Sequence, residues 1–309
     1  MQNNTIMKNA ILLISIFIVS LVAKAQNTTD VSLFMRSDST KYLTEVSSES
    51  GDLYTKVGHH GPAIENEWMG LRIYFDKKCV IDVYSKSKPG LELHRAKWYP
   101  TPEQQKNGWG ADYYKVGNTL GLGGVRLWDG EKIVPLDPVT RRIARVKKGR
   151  LSSSMEMISE GVNYKGSKVD VVIRVTVYEG QRNARVEAFT VGKEPVQFVT
   201  GINYHPGEET RKLDGLIATW GLHPEDVAAE KVKIGAALIF EPEDFVEMKD
   251  DGTQFFLISK ETVQIQTWIS SACEKESELN DMDSFFSFLK KITKADQRFN
   301  DCRNLPGSK

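Results

Sequence analysis

The sequence predicts an all-β protein, a large antiparallel β-sandwich in one domain with a single amphipathic helix at its C-terminal end. Three observations carry this. Past residue 50, short runs alternate apolar and polar residues, the pattern of strands with one buried face. Turn pairs such as Asp-Gly, Gly-Glu and Pro-Glu separate these runs at short spacing. Convincing helical periodicity is confined to one late segment.

Along the 309 residues, Lys8 precedes an apolar run from Ala10 to Val22, followed by Ala23-Lys24-Ala25. A basic start, a short apolar stretch and a small-x-small site read as a secretory signal peptide over residues 1–25. The run falls short of the roughly 20 apolar residues a membrane span needs. The mature chain, residues 26–309, is therefore expected in a periplasm or outside the cell, without membrane insertion. Residues 26–50 are polar around one apolar patch at Val31 to Met35, and are expected as an edge strand or a loosely ordered segment. "LRIYFDKKCVIDVYSK" and "VRLWDGEKIVPL" read as strands. "GSKVDVVIRVTVYEG" puts Val169, Val171, Ile173, Val175 and Val177 on one face, with Asp170, Arg174 and Thr176 on the other. "EGQRN" turns it into "ARVEAFTV", giving a long antiparallel hairpin. "VQFVTGINY", "KIGAALIFEP", "TQFFLISK" and "TVQIQTWIS" continue the series. The helix is expected over residues 281–297, where Phe285, Phe288, Leu289 and Ile292 share a face. Asp283 near its start and Lys290, Lys291 and Lys294 toward its end suit the helix dipole.

Composition narrows the function. Lys plus Arg and Asp plus Glu both number 41, and loss of Lys8 and Lys24 with the leader makes the mature chain slightly acidic. No basic surplus remains to track a phosphate backbone, which argues against a nucleic-acid partner. Three cysteines are too few for a disulfide scaffold and fit no zinc spacing. Cys273 and Cys302 can pair in an oxidising compartment, leaving Cys79 as a buried thiol. "GNTLGLGG" lacks both the Lys-Ser/Thr of a phosphate loop and the G-x-G-x-x-G spacing, so no nucleotide cofactor is expected. Gly121, Gly123 and Gly124 instead suggest a bulge or close backbone approach where loop becomes strand. No metal-ligand set is read, and the acids of "FEPEDFVEMKDDG" lack EF-hand spacing; a divalent cation is left open.

Residues Lys56 to Asp129 hold three of the five histidines, His59, His60 and His94, and four of the six tryptophans, Trp68, Trp98, Trp109 and Trp128. Aromatic rings stack on sugar faces while Arg, Lys, Asn and Asp meet hydroxyls and carboxylates, so carbohydrate is the ligand class this composition suits. In an extended chain His59 and His60 point to opposite faces. Arg72 alternates with Leu71 and Ile73. On a concave face it would grip a carboxylate through two nitrogens, and on a convex face it would be a solvated charge; the sequence leaves both open. "LELHRAKWYPTPEQQKNGWGADYYKVGNT" is aperiodic yet rich in aromatic and charged residues, the mark of a functional loop. Its candidates are His94, Lys97, Trp98, Asp112, Tyr113, Tyr114 and Lys115. The tyrosines act as acid or base if Lys97 or Lys115 lies close, or serve as half-buried supports. His205, at a strand end before Pro206-Gly207, suits acid–base work or a turn, and His223 in "GLHPED" reads as structural.

The ordered set "ENEWMGLRIYF", "IDVYSK" and "GADYYKVGNTLGLGGVRLWDGEKIVPL", with the hairpin after it, resembles the exported, carbohydrate-locus family catalogued as domain of unknown function 4861. The resemblance runs from about Gly58 to about Trp268. It rests on Glu65, Asn66, Arg72, Asp112 to Gly117, Gly123, Gly124 and Trp128, with Met69 and Gly70 departing from the expected pair and a shorter tail. It implies a galactose-mutarotase-like β-supersandwich and a place in polysaccharide utilisation, some relatives being oligosaccharide dehydratases acting on a terminal uronic acid. The activity expected here is elimination of water at a non-reducing-end uronate to give a 4,5-unsaturated sugar. Tyr113, Tyr114, His205 and Lys115 are the expected catalytic set, and Arg72, His94, Lys97, Trp98, Asp112 and Trp128 the expected substrate-binding set. A glycan lyase would use the same elimination. An aldose epimerase-like enzyme, with His205 and Glu65 across an anomeric carbon, and a non-catalytic glycan-binding protein are the alternatives.

Overall fold

The computed structural model describes residues 28–97, 99–224 and 228–303, with side chains up to residue 293; the expected leader at residues 1–25 and Trp98 lie outside them. The strands begin with β1 (Thr29–Ser32), β2 (Phe34–Met35), β3 (Asp38–Tyr42), β4 (Glu45–Ser48), β5 (Ala63–Asn66), β6 (Met69–Ile73) and β7 (Ile81–Ser85). Two short helices, α1 (Leu93–Ala96) and α2 (Pro102–Lys106), occupy the long connection to β8 (Leu122–Trp128). There follow β9 (Ile133–Val134), β10 (Arg141–Lys148), β11 (Ser152–Tyr164), β12 (Ser167–Tyr178), β13 (Asn183–Thr190) and β14 (Val196–Asn203). The last elements are β15 (Glu209–Leu213), β16 (Leu216–Gly221), β17 (Ile234–Phe240), β18 (Phe245–Asp250), β19 (Gln254–Thr262), β20 (Gln264–Cys273) and α3 (Met282–Arg303).

The largest sheet has nine strands in the order β15-β16-β17-β20-β13-β12-β11-β10-β4. Facing it are a five-stranded sheet, β18-β19-β14-β8-β9, and a four-stranded sheet, β1-β5-β6-β7; β2 and β3 pair separately. The ladders between these strands are antiparallel. One hydrophobic core draws on all three larger sheets, which makes the molecule an antiparallel β-sandwich.

Period-two patterning sets which faces meet. Val169, Val171, Ile173, Val175 and Val177 of β12 all lie in that core, each at most 4% exposed. On the other face Arg174 pairs with Glu156 of β11 at 2.7 Å. The hairpin joins β12 to β13 with Val177 opposite Ala184, as "EGQRN" foretells. The N-terminal segment is more ordered than a loose tail. β1 is the outer strand of the four-stranded sheet beside β5, and β4 closes the edge of the nine-stranded sheet beside β10. Edge positions suit so polar a segment, since only one side of it is paired.

α3 covers the outer face of the nine-stranded sheet. Phe285 and Leu289 are fully buried against Leu216, Ala218, Trp220, Ala237 and Ile239, while Phe288 and Ile292 sit at the margin. Phe286 is buried too, so the contact stripe is broader than the four residues that reveal it in sequence. Asp281 caps the helix by accepting the Ser284 N–H at 2.8 Å. Cys79 and Cys273 are buried thiols, and the side chain of Cys302 lies outside the described residues.

Candidate functional site

Residues 110–121 are stretched along β7 and pinned at both ends. Ala111 and Ser85 exchange backbone hydrogen bonds of 3.0 and 2.9 Å, and Gly121 bridges to Ile81. Gly121 has φ +70°, and a Cβ there would stand 2.3 Å from the Ile81 carbonyl oxygen, so the loop-to-strand joint requires glycine. Asp112, Tyr113, Tyr114 and Lys115 are thereby held at fixed places over the sheet.

Arg72 does not meet solvent on either face. Strand register sets it directly opposite Asp82. Its Nε and Nη2 donate to Asp82 Oδ2 at 3.0 and 2.7 Å, and Nη2 donates to Asp112 Oδ2 at 2.5 Å. Tyr99 and Tyr74 hydroxyls complete the network. With both of its expected readings displaced, Arg72 is a clasp between β6, β7 and the loop. Glu65 is likewise internal: it pairs with Lys86 at 2.5 Å and accepts the backbone N–H groups of Glu92 and Leu93 at 2.8 and 2.9 Å, at the start of α1. The pairing of His205 with Glu65 imagined for an epimerase is therefore not present. Asn66 binds the carbonyls of Tyr178 and Gln181.

A cleft of about 260 Å³ opens between the loop and the segment after β16. Asp112, Tyr113, His223, Glu230 and Lys231 line it. The Tyr113 hydroxyl is shielded from bulk water and has no hydrogen-bond partner among the described residues, and burial pushes its phenol above the ordinary range. Tyr114 is 1% exposed, donates to the Asn203 carbonyl at 3.4 Å, and faces the His223 ring at 4.5 Å. Burial pushes that phenol far up as well. Enclosed as it is, Tyr114 supports the site and does not act as its base.

Lys115 contributes through its backbone. Its carbonyl accepts from His205 Nε2 at 2.9 Å and Asn203 Nδ2 at 3.0 Å, and its N–H donates to His223 Nδ1 at 2.9 Å. These contacts set both tautomers. His205 carries its proton on Nε2 and bares Nδ1; neutral His223 carries its proton on Nε2. Glu208 completes the group, with Oε1 3.1 Å from His223 Nε2 and 3.1 Å from the His205 backbone N–H that it accepts. Burial, then the neighbouring His205, push His223 down to about 3; burial pushes the Glu208 carboxyl up to about 8.

Nitrogen and oxygen atoms of His205, Glu208 and His223 all lie within 4.8 Å of one another, a spacing that invites a metal reading. The tautomers oppose it. A ligating imidazole donates its second N–H outward. His205, donating to the Lys115 carbonyl, meets that rule, whereas neutral His223 accepts at Nδ1 and so carries a proton, not a lone pair, on the Nε2 that lies near Glu208. The arrangement suits proton chemistry better than a cation.

The remaining candidates lie elsewhere. His94 pairs with Asp30 at 2.8 Å and stacks on Tyr42, and Lys97 donates to the Ser39 carbonyl at 3.2 Å; neither lines the cleft. Trp128 packs with Phe256 and Ile258 in a cluster on the five-stranded sheet and does not line the cleft. His59 and His60 are not extended: both have positive φ in a tight turn, His59 bonding Ser32 and His60 stacking on Tyr54 at 3.9 Å. Of the expected set, the structure gathers Asp112, Tyr113, Tyr114, Lys115 and His205, and adds His223 and Glu208. A repeated signal was available for His223: His205-Pro206 and His223-Pro224 each follow the end of a strand. Nothing in the pattern singles out Glu208.

No curated protein matches the chain. Among solved structures, a candidate aldose 1-epimerase of Klebsiella pneumoniae subsp. pneumoniae is similar at 10% identity, over 86% of this chain and 95% of that one, with a TM-score of 0.39. A heparan sulfate lyase mutant of Pedobacter heparinus is similar at 7% identity, over 69% and 33%, with a TM-score of 0.32. The 4-alpha-glucanotransferase of Thermococcus litoralis is similar at 10% identity and TM-score 0.34; this chain aligns over 69% of its own length and spans 37% of that chain. The profile of the domain of unknown function DUF4861 matches residues 16–298, nearly the whole sequence, and the chain belongs to that family.

Proposed function

We propose that the protein is an exported carbohydrate-active enzyme that eliminates water at a terminal uronic acid of an oligosaccharide. The observation that carries this reading is the Tyr113 hydroxyl: a protonated phenol in the wall of a polar cleft, with no hydrogen-bond partner among the described residues. An enclosed donor without an acceptor is costly in a resting fold, and a ligand oxygen relieves that cost. His205 stands behind the cleft wall, its ring 4.5 Å from that of the lining His223, and with Nε2–H held by the Lys115 carbonyl its Nδ1 is the atom assigned as the complementary group.

In the proposed step His205 Nδ1 takes the proton from C5 of the uronate and Tyr113 gives its proton to the hydroxyl on C4. The C5–H and C4–O bonds break, the C4=C5 double bond forms, and water departs. Solvent then restores the imidazole and the phenol. The C5 proton is acidic only while the adjacent carboxylate faces positive charge. Lys231, a cation on the cleft wall, is assigned to that task.

The test is incubation of the mature protein with uronate-terminated oligosaccharides, following the ultraviolet absorption of the conjugated enoate together with the product mass. Loss of one water with an intact chain supports the proposal. Chain shortening makes the enzyme a lyase, and binding without either change makes it a glycan-binding protein.

A further inference from the structure

Glu208 is a buried acid that no lysine or arginine faces among the described residues. Its side chain is 0% exposed and sits against the end of β16, where Gly221 leaves it room: a Cβ at position 221 would lie 2.4 Å from Glu208 Cγ. Oε1 accepts the His205 backbone N–H, and His223 Nε2 lies 3.1 Å from it without forming a hydrogen bond. Tyr114 and Thr219 are the other polar groups packed near it. Several other enclosed acids have a cation instead: Lys86 faces Glu65, Arg72 faces Asp82 and Asp112, and Arg182 faces Glu276. A carboxylate set among the His223 imidazole, a phenol and a hydroxyl is poorly solvated, and the group answers by keeping its proton.

We propose that Glu208 works as an uncharged carboxyl, a positioning residue that holds the His205 backbone and packs against His223 without placing negative charge behind the cleft, and so determines its acceptance of anionic sugars. The inference rests on the reading of the ligand as an acidic sugar. Its logic is electrostatic. Once ionised, Glu208 stands 3.1 Å from His223, which is itself part of the cleft wall, and repels an incoming carboxylate across a poorly screened interior. A neutral sugar is indifferent to that charge. Burial, which pushes the group up to about 8, places the change within an accessible range.

The test uses the full mature chain and its Glu208→Gln variant, which is uncharged at every pH, with circular dichroism to verify folding. Calorimetry from about pH 6 to about pH 9 measures binding of a glucuronate-terminated oligosaccharide and of its carboxyl-reduced counterpart. Expected is a loss of about tenfold in affinity for the acidic ligand by the parent as pH rises through the Glu208 value, a flat profile for the reduced ligand, and flat profiles for both with E208Q. The same decline in E208Q as in the parent overturns the role. Infrared difference spectra of the ligand-free proteins near neutral pH provide an independent arm: a protonated-carboxyl band present in the parent and lost in E208Q is expected, and its absence from the parent overturns the inference whatever the ligand. Binding that follows this pH pattern without any turnover sinks the elimination reading and leaves the inference standing. Failure of the acidic sugar to bind at any pH overturns both.

Discussion

Asp112 Oδ2 accepts from Arg72 Nη2 at 2.5 Å, on the same guanidinium that β-sheet register has already given to Asp82. One side chain thus fastens the loop of the candidate site to β6 and β7. Arg72→Ala leaves two enclosed carboxylates without their cation, and a loss of about 3–5 kcal/mol in unfolding free energy is expected from denaturant titration. Arg72→Lys is expected to recover only part of it, since an ammonium lacks the planar fork. A variant with parent stability and a raised KM for acidic sugar alone would restore Arg72 to the substrate.

The two adjacent tyrosines are expected to separate cleanly. Tyr113→Phe removes a hydroxyl that has no partner, so thermal stability should hold or rise slightly while turnover falls by about 10²–10⁴-fold. Tyr114→Phe removes a long hydrogen bond and should cost about 0.5–1.5 kcal/mol of stability with turnover within a few-fold of the parent. Melting curves and initial rates on the same preparations check both, and inverted results would exchange the two roles.

Substitutions at the surface pair should be silent. His94→Ala and Lys97→Ala remove contacts to Asp30 and Ser39 outside the cleft, each worth about 0–1 kcal/mol. Rates on uronate-terminated oligosaccharides should be unchanged. A marked fall in kcat for either would extend the site to the N-terminal strands.

Stability should depend on pH through Glu208. Its folded value of about 8 lies above the ordinary 4.5, so between these the native chain holds a proton that the unfolded chain has released. Unfolding free energy therefore declines as pH rises across that window and levels off above it. In E208Q this component should vanish. Urea titrations of parent and variant at several pH values give the comparison, and parallel curves would contradict the assignment.

Much of the fold can be read in the sequence, because alternation such as that of Val169 to Val177 states directly which face is buried, and Phe285 with Leu289 states where the helix docks. The candidate site was only half visible. Its loop announces itself by carrying Asp112, Tyr113 and Tyr114 without periodicity. Arg72 and Glu65 misdirect, since a charged residue in a strand looks the same whether it faces a ligand or an internal partner, and only register reveals Asp82 opposite Arg72. Glu208 is invisible for a related reason: its environment is made by His223 and Gly221, residues that are distant from it until β15 and β16 fold back.

The backbone N–H and C=O of Lys115 grip two imidazoles through atoms that every amino acid except proline possesses. The path of the chain through that point is thereby fixed. A proline there, by deleting the donor to His223, would release that ring to adopt the other tautomer.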